Sequence, residues 1–135
     1  MSLAVALAFL MSAAQPAEPS VEVAGGDWSS IPRMAAQGDN YISKFAIERV
    51  QEIFSGNSCT IRGQSRNKLD LTVPFLVQFD PGGAPQRIIV RKVGCPQLET
   101  LLGGVVLHLV KRGEYRPTGE NLAGWYQSDV SFALR

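Results

Sequence analysis

LDLTVPFLVQF (69–79), DPGGAP (80–85), QRIIVRKVGC (86–95), PQLETLLGGVVLHLVKRG (96–113) and WYQSDVSFAL (125–134) decide the fold of this chain. In the first segment Leu69, Leu71, Val73, Phe75, Val77 and Phe79 fall on every second position. A period of two gives a half-buried β-strand one apolar face. Asp80-Pro81-Gly82-Gly83 follows; proline presets φ for a turn and the glycines supply positive φ. The next strand sets Ile88 and Val90 on one face and Arg87, Ile89 and Arg91 on the other. Together the two strands read as an antiparallel hairpin.

A helix comes next. Pro96 suits a first helical position, and Lys111, Arg112 and Gly113 suit a helix end. Between them Leu98, Leu101, Leu102, Val105, Leu109 and Val110 recur at helical spacing. Gly103 and Gly104 cost about 1 kcal/mol each in a helix interior, a cost that close packing on the sheet would offset. Val130, Phe132 and Leu134 then alternate with Asp129 and Ser131 in a closing strand. The expected class is α+β: a three-stranded antiparallel sheet with a helix between its second and third strands (ββαβ).

The run from Val73 to Glu120, with its closing strand, resembles the TonB C-terminal domain. That family shows a strand, an Asp-x-x-Gly turn, a second strand, a Leu-Asp-led helix, an aromatic-x-Pro exit and a closing strand. Here Leu98-Glu99 stands at the Leu-Asp position and Tyr115-Arg116-Pro117 at the exit. Cys95-Pro96 replaces the usual small polar residues before the helix. The resemblance covers about half of the chain. It implies interaction with a cell-envelope protein, a transporter among the options.

Working outward, residues 39–57 (DNYISKFAIERVQEIFSGN) read as a preceding amphipathic helix. Asp39 or Asn40 would cap it and Gly56 would end it. Its apolar set is Ile42, Phe45, Ala46, Val50, Ile53 and Phe54, with Lys44, Glu48, Arg49 and Glu52 in water. It is expected on the same sheet face as the later helix. Residues 15–37 are rich in Ala, Pro, Ser and Gly and read as a flexible lead-in. Trp28 and Ile31 are the only large apolar anchors there. The TonB-like domain is accordingly expected over residues 38–135.

The chain of 135 residues is one domain's worth, and its net charge of +1 sets up no field for nucleic acid. Residues 1–14 form an apolar run with Ser12 and Ala14 at the −3 and −1 positions of a signal-peptide cleavage site. The expected location is therefore the periplasm or the extracellular space. In such a compartment Cys59 and Cys95, the only cysteines, would pair; in a cytoplasm they would remain buried thiols.

Sites of chemistry are sparse. His108 is the only histidine, with no nucleophile elbow beside it. One histidine and two distant cysteines make a poor metal set, and no phosphate loop lies between a strand and a helix. No catalytic, cofactor or metal residue is therefore assigned. Arg87 and Arg91 form a small basic face; Trp125, Tyr126, Gln127 and Asp129 lie on the closing strand, whose edge offers unpaired backbone groups. These residues are the partner-binding candidates. The expected function is a non-enzymatic interaction module that takes an envelope protein or peptide by strand addition, or a second copy of itself. No nucleic acid and no small-molecule cofactor is expected. The alternative is a small secreted enzyme or enzyme inhibitor using the basic strand and His108.

Export predicts a mature N-terminus at Gln15. Intact-mass measurement on protein from its native host should show loss of residues 1–14, and full-length chain in the cytoplasm would overturn the location.

Overall fold

The computed structural model describes residues 18–36, 42–56, 59–119 and 122–133. The proposed leader over residues 1–14, the Asp39 and Asn40 caps and Leu134 lie outside them. In chain order the elements are β1 (Ser20–Ala24), β2 (Ala35–Ala36), α1 (Lys44–Ser55), β3 (Asp70–Phe79), β4 (Pro85–Arg91), α2 (Pro96–Lys111), β5 (Tyr115–Arg116) and β6 (Gly124–Ala133). The fold is mixed α+β, and the expected order β3, β4, α2, β6 is present within it.

The sheet is larger than the expected three strands. It has four, in the order β1-β4-β3-β6, and is mixed: β1 runs parallel to β4, whereas β4 and β6 flank β3 in antiparallel pairing. A small second sheet pairs β2 with β5. The extra strand comes from the stretch expected to be a flexible lead-in. Val21 and Val23 alternate with Glu22 there, and their backbone supplies the partner that β4 would otherwise lack on its outer side.

β3 is central, and Leu71, Val73, Phe75, Val77 and Phe79 are all buried on one face. Ile88 and Val90 of β4 and Tyr126, Val130 and Phe132 of β6 extend that face. The β3–β4 turn is tied by its own first residue. Asp80 Oδ1 accepts hydrogen bonds from the Gly82 and Ala84 N–H groups at 2.9 and 2.8 Å. Gly83 sits at φ +82°, where a side chain would strain the backbone.

α2 lies on the apolar face with Leu98, Leu102, Val106, Leu109 and Val110 buried. Its two glycines have different surroundings. A Cβ at Gly103 would stand 3.0 Å from Val21 Cγ1, so this glycine lets the helix approach β1. A Cβ at Gly104 would meet nothing within 4 Å. The expected close packing thus holds for the first and fails for the second. At the far end Gly113 N–H reaches Val110 O and Glu114 N–H reaches Leu109 O, at 3.0 and 3.1 Å, the two bonds of a Schellman ending.

α1 is capped by Ser43, whose Oγ accepts from Ala46 N–H at 3.1 Å. Ala46 and Val50 are buried, with Ile42, Ile47, Ile53 and Phe54 packed against the common core. Phe45 was expected in that stripe but is 70% exposed. It lies one helical step, about 100°, from Ala46, on the flank of the buried stripe.

Cys59 and Cys95 are bonded, with Cα atoms 5.5 Å apart, which ties the segment after α1 to the start of α2. Residues 59–62 form no strand, only the turn closed by Gln64 N–H to Ile61 O. Because the sulfur of Cys95 is engaged, the α2 N-cap has no side-chain bond. Glu99, in the first turn, ties down the chain before the helix instead, accepting from the N–H groups of Val93 and Gly94 at 2.7 and 3.0 Å. The bridge spans a sequence separation of 36 residues, for which the chain-entropy model gives about 3–4 kcal/mol. Comparing denaturant midpoints of the oxidised protein and a Cys59→Ser/Cys95→Ser variant should show a loss of that order.

Candidate functional site

The second face of the sheet, away from α2, is where the sequence candidates gather. Register places Glu22, Ile89, Leu76 and Gln127 in one row across the strands, and Ser20, Arg87, Gln78 and Trp125 in the next. The even-numbered side chains of β3 line this face because its odd-numbered ones are committed to the core. A sheet face left bare would expose Leu76, yet Leu76 is only 5% accessible. Trp28, 7% accessible, is the other large apolar side chain buried outside the main core.

After β1 the chain turns at Gly25-Gly26 and runs through Trp28 to the edge of β6. We call residues 25–34 the strap. Pro32 O accepts from Gln127 N–H, and Met34 N–H donates to Gln127 O, each at 2.9 Å. Arg33 thereby bridges Gln127 as one parallel rung beside β6. Beyond it Met34 enters the main core, and β2 pairs with β5.

The six recognition candidates are therefore occupied as follows. Gln127 Nε2 donates to the carbonyls of Trp28 and Ile31. Asp129 holds Arg33 in an ion pair at 2.8 Å. The guanidinium of Arg91 lies 4.1 Å from the centre of the Trp28 ring, and its Nε is buried with no hydrogen-bond partner. Arg87 bonds Glu22 Oε1 at 2.9 and 3.2 Å and lies 5.3 Å from the Trp125 ring centre. Tyr126 faces the core, edge-on to Phe79 at 5.9 Å. The structure brings Trp125, Gln127, Asp129, Arg87 and Arg91 onto one face, and Tyr126 onto the opposite one.

What remains open is the backbone edge past the strap. In an antiparallel strand both backbone groups of alternate residues point to the same side. Gln127 points outward, so Asp129, Ser131 and Ala133 do as well. No strand pairs with β6 on that side among the described residues. The side chains there are small or polar, with Ser131 Oγ 3.0 Å from Thr72 Oγ1.

Comparisons with protein families, with curated proteins and with solved structures return no match.

His108 lies on the exposed side of α2, not at the rim of the core. The hollow beside it is lined by Ser43, Thr100, Arg112 and apolar side chains, with no carboxylate to orient an imidazole. No group of three or more His, Cys, Asp or Glu side chains that could hold a metal ion occurs among the described residues. None of the described helices is long and apolar enough to cross a membrane.

The sequence reading singled out Trp28 as an apolar anchor but did not place it on the sheet, and it missed Arg33 and Met34. A tryptophan inside a polar, glycine-flanked stretch was the available signal. Asp27, next to it, has its carboxyl held below the usual range by hydrogen bonds from Ser29.

Tyr115 is a second notable group near the β2–β5 pair. Its ring stands edge-on to Phe75 at 5.0 Å, and its hydroxyl is buried with no partner. Burial pushes its pKa up, with Glu114 and Asp129 adding to the effect. Since the folded pKa exceeds the unfolded value of about 10, the associated stability is fully present below that pH. It is lost as pH rises through the folded value. Absorbance titration should show one tyrosine ionising after the others, together with alkaline unfolding. Tyr115→Phe should remove that late step and keep neutral-pH stability within about 1 kcal/mol, because it deletes an unpaired hydroxyl.

Proposed function

We propose that this chain is a non-enzymatic interaction module of the periplasm or extracellular space, akin to the TonB C-terminal domain, that binds an extended segment of an envelope partner along β6. The observation that carries the reading is the outward backbone of Asp129, Ser131 and Ala133, a sheet edge with no neighbouring strand among the described residues. The edge already accepts one extended segment, the chain's own Pro32–Met34, at Gln127. An incoming strand would continue that rung toward Ala133.

Three further features support it. The disulfide suits an oxidising compartment. The side chains flanking the open edge are short, so they leave room for a backbone to approach. Ser131 and Thr72 set hydroxyls on the adjoining face, where side chains of a bound segment would project. A second copy offering its own β6 is the symmetric version of the same contact.

Proline scanning of the edge tests the proposal. Gln127 is unsuitable, because its N–H already bonds Pro32. Ser131→Pro removes an outward N–H while keeping the core-facing Val130 and Phe132. Circular dichroism should show a native fold, and capture of partner from envelope extract should fall about tenfold, the loss expected from one or two backbone hydrogen bonds and a disturbed register. Undiminished capture by folded Ser131→Pro, alongside a hydrolytic activity lost in His108→Ala, would replace this reading with the enzyme alternative.

A further inference from the structure

The seam between α1 and α2 holds a groove that the interaction surface on β6 does not use. Ile42, Phe45, Ala46, Leu101, Val105 and Leu109 wall it, and its volume is about 490 Å³. That lies within the span of small-molecule sites, about 300–1,000 Å³. Toward the C-terminal end of α2 it adjoins a second hollow of about 280 Å³, which shares Gly104, His108 and Arg112 with it and adds Leu107 and Lys111. Polarity is therefore sorted along the groove: apolar walls, then cationic side chains, with no Asp or Glu lining either hollow.

Two features of the groove are costly for this chain alone. Phe45 is 70% exposed, although burial is the usual gain from an aromatic side chain. Gly104 sits in the middle of α2 where a Cβ would meet nothing within 4 Å, so no packing among the described residues calls for a glycine. A bare helix backbone facing open space is what a ligand lying along the helix needs.

We propose that the α1–α2 groove binds a free single-chain anionic amphiphile of the fatty-acid class, its chain between Phe45 and Gly104 and its carboxylate at Arg112 and Lys111. Charge complementarity selects the head group. Lys111 and Arg112 already meet Glu18 and Glu114, at 2.7 and 3.2 Å, but both cations are about half exposed. The Lys111–Glu18 pair is exposed on both sides and weak, and although Glu114 is largely buried, both cations keep donors to spare, so a carboxylate can join them. The proposal stands independently of the β6 edge reading.

The test uses the intact chain and a fluorescent fatty-acid probe, displaced by decanoate, decanol or decyltrimethylammonium below their micellar concentrations. Decanoate should displace the probe at one site per chain, decanol more weakly and the cation least. A Cβ at Gly104 meets nothing within 4 Å and leucine favours the helix, so Gly104→Leu projects into the groove, should fold normally and should weaken decanoate binding at least tenfold. Arg112→Gln should weaken decanoate by about tenfold and leave decanol unchanged. Equal affinity for the three head groups, or binding unaffected by Gly104→Leu, would overturn the proposal. Capture by phosphatidylglycerol vesicles with no free decanoate binding would overturn it in favour of a membrane surface. A dimer in sedimentation that Phe45→Ser dissolves, without decanoate binding, would assign the groove to a second copy.

Discussion

β3 has to be covered on both faces, and most of the structure follows from that requirement. As the central strand it pairs on either side, and its alternation sends Leu71, Val73, Phe75, Val77 and Phe79 to one face and Leu76 to the other. The first face is met by α2 and, through α2, by α1. The second is met by ten residues of chain with no regular structure of their own. That asymmetry explains why the two faces use different interactions. Burial of five large side chains against a helix is held by apolar area, at about 25 cal/mol per Å². The second face has one buried leucine, so polar contacts and a single tryptophan hold its cover.

The strap changes how the polar residues on that face should be understood. Arginines and aromatics together on a sheet commonly mark a recognition surface. Here Arg91 stacks on Trp28, Gln127 holds two strap carbonyls and Asp129 pairs with Arg33. Arg87 and Trp125, the remaining pair, meet each other and Glu22 of β1. The same contacts that would bind a foreign peptide bind residues 20–34 of the chain itself. The consequence for the proposed function is positional: strand addition would be confined to the end of β6 beyond the strap.

The hairpin, both helices and the closing strand were legible because each carries a strong local period. Ile88 and Val90, or Leu98 and Leu102, announce their faces without knowledge of any partner. β1 was not legible in the same way. Val21 and Val23 alternate, but five residues between Pro19 and Gly25 are too few to outweigh the composition of the stretch. Its pairing with β4 is parallel and separated by more than sixty positions in the register Ser20 to Arg87, so no local turn predicts it. Phe45 shows the opposite error, a correct helix with its face judged one position too wide. The site candidates were legible as residues that share a face, through their alternation on β4 and β6. That they hold the strap depends on where Trp28 lands, which no period encodes.

Magnitudes decide what keeps the strap in place. The Arg33–Asp129 pair is exposed and contributes at most about 1 kcal/mol. Each Gln127 hydrogen bond adds about 1 kcal/mol net. Removing Trp28, buried against Arg91 and the sheet, would cost about 3 kcal/mol or more. Gln127 makes four such hydrogen bonds, so its total matches the cost of removing Trp28, and Met34 just beyond is in the core. The Arg33–Asp129 pair is the weak contact of the strap. A strand arriving along Asp129 to Ala133 meets that pair first. It could replace the Arg33 contact at little cost, yet it would stop at Gln127, whose bonds are too costly to displace together. The open length of β6 is set by that difference in strength between the Arg33 pair and the Gln127 contacts.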